Sequence, residues 1–204
     1  MASTSSSFLL RYALRSFAVV FLLAFLIRAF LFSSYSMSSS SMLPSVWTGD
    51  FIVASRLGSG TLERGQVVVL RCPGYRERNC LKRVIGLAGD RVEFQEGKLV
   101  VNGQPALYRS LGSDFQTEIV GDKSWGIWPG TIADQPAIVV PPDQVYLLND
   151  RRVDGDDSRS WGALSTASID AKAIRVWISL DWYDGEKIRS WPRVRWARML
   201  RGID

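Results

Sequence analysis

The sequence contains no histidine. That absence excludes every mechanism in which imidazole is the general base, and it removes the commonest nitrogen ligand of zinc. Only two cysteines are present, too few to complete a structural zinc site alone; neither metal nor cofactor is expected. A formal charge of +5 is modest, and no Lys/Arg block is dense enough to argue for nucleic acid. A calcium loop at "DRRVDGDD" also fails. Counting back from Gly155, Arg152 occupies a ligand position, and Trp161 stands where the closing Glu should be. Helical periodicity is weak outside one N-terminal run, and there are no internal repeats.

What is present begins with that run, "SFAVVFLLAFLIRAFLF" from Ser16 to Phe32, whose single charge is Arg28. As a helix it spans about 25 Å, slightly short of a hydrocarbon core of about 30 Å. Tyr12 to Leu14 extend it, and Arg28 can snorkel toward the nearer interface. Arg11 and Arg15 precede it, so the positive-inside rule places the N-terminus in the cytoplasm. The expected organisation is a cytoplasmic segment 1–15, a transmembrane anchor 16–32 and an extracytoplasmic β-rich catalytic domain 33–204. A cleaved signal peptide is the competing reading; Arg28 followed by "AFLF" counts against it.

After the anchor the signals are those of strands. "DFIVASRL" (50–57), "GQVVVLR" (65–71) and "CLKRVIG" (80–86) are short, β-branched and bounded by turn residues. "RVEFQEGKLVVNG" (91–103) reads as a hairpin turning at 96–98. Further strands are expected at "AIVVPP" with "VYLLND" and at "AKAIRVWISLD". No assignment follows for 104–137. Cys72 and Cys80 flank the turn-rich "PGYRERN", where a cross-hairpin disulfide and two free thiols are both admissible. The reading is an all-β domain on a membrane tether, with 204 residues at 47% hydrophobic content sufficient for one core.

The stretch "YSMSSSSMLPSVWTGDF" (35–51) carries Ser36, Ser38, Ser39, Ser40, Ser41 and Ser45. A nucleophilic serine here needs a base other than histidine, and lysine is the known alternative. Such a lysine must lose its proton near neutrality, against an ordinary pKa of about 10.4, and burial is the usual means. Lys98, Lys123 and Lys187 neighbour Gly, Asp or Glu in turns, and Lys172 opens a strand. Lys82 alternates with Cys80 and Val84 beside apolar Leu81, which makes it the best base candidate. A strand-edge lysine turned to water is the other reading of the same residues.

"SMLPS" behind an anchor, then "LKRVIGLAGD", then "NDRRVDGDDSRSWGAL" occur in that order. Together they resemble the signature blocks of type I signal peptidases, membrane-bound serine proteases that remove signal peptides. "LIRAFLF" and "TGDFIV" are similar to that family too, and the resemblance spans 26–103 and 140–181. It implies a coiled antiparallel sheet or partial barrel and a Ser–Lys dyad with Ser41 as nucleophile and Lys82 as general base. It makes Ser39 an oxyanion donor; a loop serine bonded to its own backbone is the competing reading. It places Met37, Met42, Ile52 and Leu81 around pockets for small side chains, consistent with cleavage after Ala-X-Ala. Arg83, Asp157, Ser158 and Arg159 become structural support, with Asp157 and Arg159 ion-paired.

This chain departs from the family pattern in three places. Asn149-Asp150-Arg151 replaces "GDN", Ser45 replaces a Thr, and Gly155 replaces a Ser that in many members bonds the lysine. The last leaves open how Lys82 is oriented, with a water or Ser158 as substitutes. The C-terminal "KIRSWPRVRWARMLR" (187–201) is basic with interleaved Trp191 and Trp196. It either rests on anionic lipid or docks as a solvated tail on the sheet.

The resemblance implies a monomeric membrane endopeptidase on the outer side of a bacterial cytoplasmic membrane. Its partners are preprotein signal peptides and the lipid bilayer. A specialised organellar or conjugation peptidase of the same family is the first alternative. A catalytically silent, membrane-anchored β-domain that binds exported proteins or lipid is the second.

Overall fold

The computed structural model describes residues 4–56, 61–74, 79–184 and 187–203. A helix, α1 (Thr4–Leu31), runs directly into strand β1 (Phe32–Ser36). Strands β2 (Asp50–Ser55), β3 (Val67–Arg71) and β4 (Asn79–Gly86) follow at the expected places. The predicted hairpin is β5 (Arg91–Gln95) and β6 (Lys98–Val101), with Glu96 and Gly97 at positive φ in its turn. The unassigned stretch folds into β7 (Gln104–Pro105), β8 (Leu107–Leu111), β9 (Phe115–Val120) and β10 (Lys123–Ile127). The chain then forms β11 (Gln135–Val139), β12 (Gln144–Leu148), the short helix α2 (Ser158–Trp161) and β13 (Leu164–Ser165). It closes with the long β14 (Ile169–Asp184) and β15 (Lys187–Val194).

All strand pairings are antiparallel among the described residues. The main sheet orders β1-β2-β14-β3-β4-β12-β13, with β15 on β14; β10-β9-β8 and β11-β5-β6-β7 form two smaller sheets. β14 pairs in turn with β3, β2 and β15, shifting register between Ala173 and Arg175 and again between Val176 and Ile178. Such irregularities bend a strand and increase its twist, so the sheet curls into a half-barrel.

The first four residues of β3, Val67 to Leu70, are fully buried, as expected for a central strand covered on both faces. One face packs Val67 and Val69 with Ile52, Leu81, Met42 and Val176. The opposite face packs Val68 and Leu70 with Val84, Leu147 and Ile169. A third cluster, around Phe94, Leu99, Trp125 and Tyr146, joins the smaller sheets to the main one.

The N-terminal expectation needs correction. Among the described residues no helix is long and apolar enough to cross a membrane. This overturns the single transmembrane anchor at 16–32 and, with it, the single-pass placement in a bacterial cytoplasmic membrane. The Arg28 side chain lies outside the described residues.

The C-terminal segment is ordered on the sheet rather than trailing from it. β15 forms a hairpin with β14, and Arg198 in the final turn is buried against Asp50. Trp191 and Trp196 are exposed.

Candidate active site

The serine-rich segment is the loop between β1 and β2. Its ends are closed by Met37 N–H to the Asp50 carbonyl at 2.9 Å and Gly49 N–H to the Met37 carbonyl at 2.8 Å. Gly49 has φ +88°, and a Cβ there would lie 2.0 Å from the Leu180 carbonyl oxygen; only glycine fits. The buried Asp50 carboxylate anchors the base of the loop. It accepts from Trp47 N–H at 2.8 Å, Ser179 Oγ at 2.5 Å and Arg198 Nη2 at 2.6 Å. Deprived of water, the carboxylate requires these charge-assisted bonds to stay satisfied. Nothing local in the sequence pairs Asp50 with Arg198.

Within this loop Ser41 N–H donates to Ser39 Oγ at 3.2 Å. The Ser41 carbonyl accepts from Arg151 N–H at 2.9 Å, and Ser40 Oγ accepts from Arg151 Nη1 at 3.1 Å. The serine loop is thereby fastened to the turn that follows β12.

Lys82 sits in β4 opposite Val68 of β3 and is only 2% exposed, which excludes the water-facing reading. Its Nζ donates to Asn149 Oδ1 at 2.6 Å and lies 5.1 Å from the Trp161 ring centroid. Burial pushes its pKa below the ordinary lysine value, because an apolar surrounding disfavours the ammonium form. Asp157, Asp156 and Asp154 oppose that shift, and Arg159 adds to it.

Ser39, Ser41, Met37, Met42, Leu81 and Lys82 all line one open cleft of about 420 Å³. Ile52 is not on its wall: it is fully buried beneath, packed in the same cluster as Met42 and Leu81. Cys72 and Cys80 form a disulfide, Cα–Cα 5.3 Å, at the side of the cleft.

The remaining predicted residues form the frame behind the cleft. Arg83 pairs with Asp150 through two bonds of 2.7 Å, both side chains being fully buried, and also donates to Ser45 Oγ at 2.8 Å. Asp157 caps α2 and binds Arg159 Nη2 at 2.6 Å, while Arg159 Nη1 donates to the Arg152 carbonyl at 2.7 Å. Ser158 Oγ accepts from Leu147 N–H at 2.9 Å. Sequence reasoning treated Asn149 only as a departure from the family pattern and missed its bond to Lys82. The one signal was an amide-bearing residue where the pattern has glycine.

Comparison with known proteins decides the family. The model of the family "Signal peptidase, peptidase S26" matches residues 10–178. The chain belongs to this family. Its relatives include the signal peptidase IB of Staphylococcus aureus, 31% identical over 169 residues, covering 79% of this chain and 86% of that protein. The signal peptidase I of Buchnera aphidicola is 24% identical over 247 residues, covering 88% and 77%. A crystal structure of a signal peptidase I from Enterococcus faecalis is 22% identical with a TM-score of 0.38, covering 54% of this chain and 95% of that one. The signal-peptidase family member described here is therefore a serine-protease-type enzyme acting on exported preproteins.

Proposed function

We propose that Ser41 and Lys82 form the Ser–Lys dyad of this peptidase and that it cleaves preproteins after Ala-X-Ala sites. The observation that carries the reading is the burial of Lys82, which favours a neutral amine, on the wall of the cleft that also holds Ser41. Lys82 Nζ takes the proton from Ser41 Oγ as the oxygen attacks the scissile carbonyl. The oxyanion displaces the internal bond between Ser41 N–H and Ser39 Oγ, and then receives the Ser41 N–H and the Ser39 O–H. The lysine ammonium returns its proton to the leaving amine, and water hydrolyses the acyl-enzyme with Lys82 again as base. Met37, Met42 and Leu81 bound the space offered to small side chains, with Ile52 supporting them from the core. An extended substrate read at alternate side chains suits such a cleft.

The test is cleavage of a preprotein bearing an Ala-X-Ala site by the purified protein. Ser41→Ala and Lys82→Ala are each expected to abolish cleavage while leaving the fold intact. Undiminished cleavage by either variant, or an inactive wild-type protein, overturns the reading.

A further inference from the structure

A lysine amine on a flexible four-carbon stem is a poor base unless its nitrogen is held in place. Among the described residues Lys82 forms no ion pair, although Asp154, Asp156 and Asp157 act on it through space. Its short contact is to an amide oxygen, Asn149 Oδ1 at 2.6 Å.

That amide is itself fixed. Asn149 is fully buried. Its Nδ2 donates to the Asp154 carbonyl at 3.2 Å and the Asp156 carbonyl at 3.4 Å, and its backbone N–H donates to Asp157 Oδ2 at 3.0 Å. Turning the amide over would set its oxygen against two carbonyls and its NH₂ against the lysine amine, so only one orientation satisfies all partners. Gly155, on the same cleft, contributes no side chain, and the Ser158 hydroxyl is placed on Leu147 N–H.

We infer that Asn149 is the positioning residue for Lys82, its side-chain oxygen holding Nζ in the cleft shared with Ser41. The inference rests on the dyad reading given above. An amide suits the task because it accepts a hydrogen bond from either protonation state without adding a full negative charge. A carboxylate at the same place would lock the ammonium form. The charged groups facing Lys82 are Asp154, Asp156 and Asp157, which favour the ammonium, and Arg159, which disfavours it; the Trp161 ring also lies near. Asn149 supplies position within that field.

The experiment compares Asn149→Ala and Asn149→Asp with wild type in kcat, KM and pH profile. It also follows the Lys82 Cε resonance through a pH titration of protein labelled with 13C-lysine. Asn149→Ala is expected to lower kcat about 10- to 100-fold, the worth of one hydrogen bond to a charged group, with KM within about twofold. The acid limb of its profile moves to lower pH, because the ammonium loses an acceptor. Asn149→Asp moves the limb the opposite way, and this variant carries the test should Asn149→Ala fail to fold. A Lys82 titration identical in wild type and the folded variants overturns the inference, because a residue acting only on stability leaves it unmoved. Cleavage that survives Ser41→Ala would instead overturn the dyad reading, and the resonance would still report whether Asn149 touches Lys82.

Discussion

Arg151 donates its backbone N–H to the carbonyl oxygen of Ser41 at 2.9 Å. This bond joins the serine loop to the turn after β12, two segments that both border the cleft. Directly behind it Arg83 and Asp150 form a fully buried pair, and Arg83 reaches Ser45 of the same loop. Removing one partner of a buried pair leaves the other charge uncompensated. Asp150→Ala is therefore expected to cost about 3–5 kcal/mol, with part recovered in Asp150→Ala/Arg83→Met. Urea midpoints of the two variants check this; a loss below about 1 kcal/mol would contradict it.

In the proposed mechanism the Ser39 hydroxyl is required only once the oxyanion forms, so Ser39→Ala should lower kcat about 10²–10³-fold with little change in KM. Ser39→Thr, which keeps the hydroxyl, should retain most activity. Steady-state kinetics on the preprotein decide; equal losses in both variants would make Ser39 a packing residue.

The depressed pKa of Lys82 makes two pH predictions. Activity rises with pH through the folded-state pKa, where the amine becomes neutral. Stability follows the same direction. Between the lowered folded pKa and the unfolded value of about 10.4 the unfolded chain binds more protons, so rising pH favours the folded state. Relative to Lys82→Met, the wild type should gain in Tm from neutral pH toward about 10. A constant difference would show that Lys82 is not perturbed.

Gly49→Ala should destabilise the protein by more than about 1 kcal/mol and reduce kcat together with it. Its Cβ would collide with the Leu180 carbonyl at a φ of +88°, displacing the loop that carries Ser39 and Ser41. Thermal unfolding alongside initial rates measures both effects, and a variant normal in both would show the loop to be free of that clamp.

The strands read correctly are those in which packing leaves a local trace. β3 is a valine run because both of its faces are covered, and β5–β6 is marked by its Glu96-Gly97 turn. β8 left no trace, since its burial pattern does not alternate and most of its residues are exposed. The N-terminal apolar run was legible as helix but not in its limits, and its crossing of a membrane was not upheld. The resemblance named Ile52 with the pocket residues, whereas the curled sheet turns its side chain into the core cluster beneath Met42 and Leu81.

By itself, then, the sequence determined the absence of an imidazole base, the order of the blocks that carry Ser41 and Lys82, and the strands around them. These are matters of residue type and short-range period. The tertiary structure alone decided that Lys82 is buried, that Asn149 holds its amine and that Arg198 anchors Asp50 under the serine loop. Each depends on pairing between distant segments, where the exclusion of water makes a specific partner necessary. Chain order does not encode which partner the fold delivers.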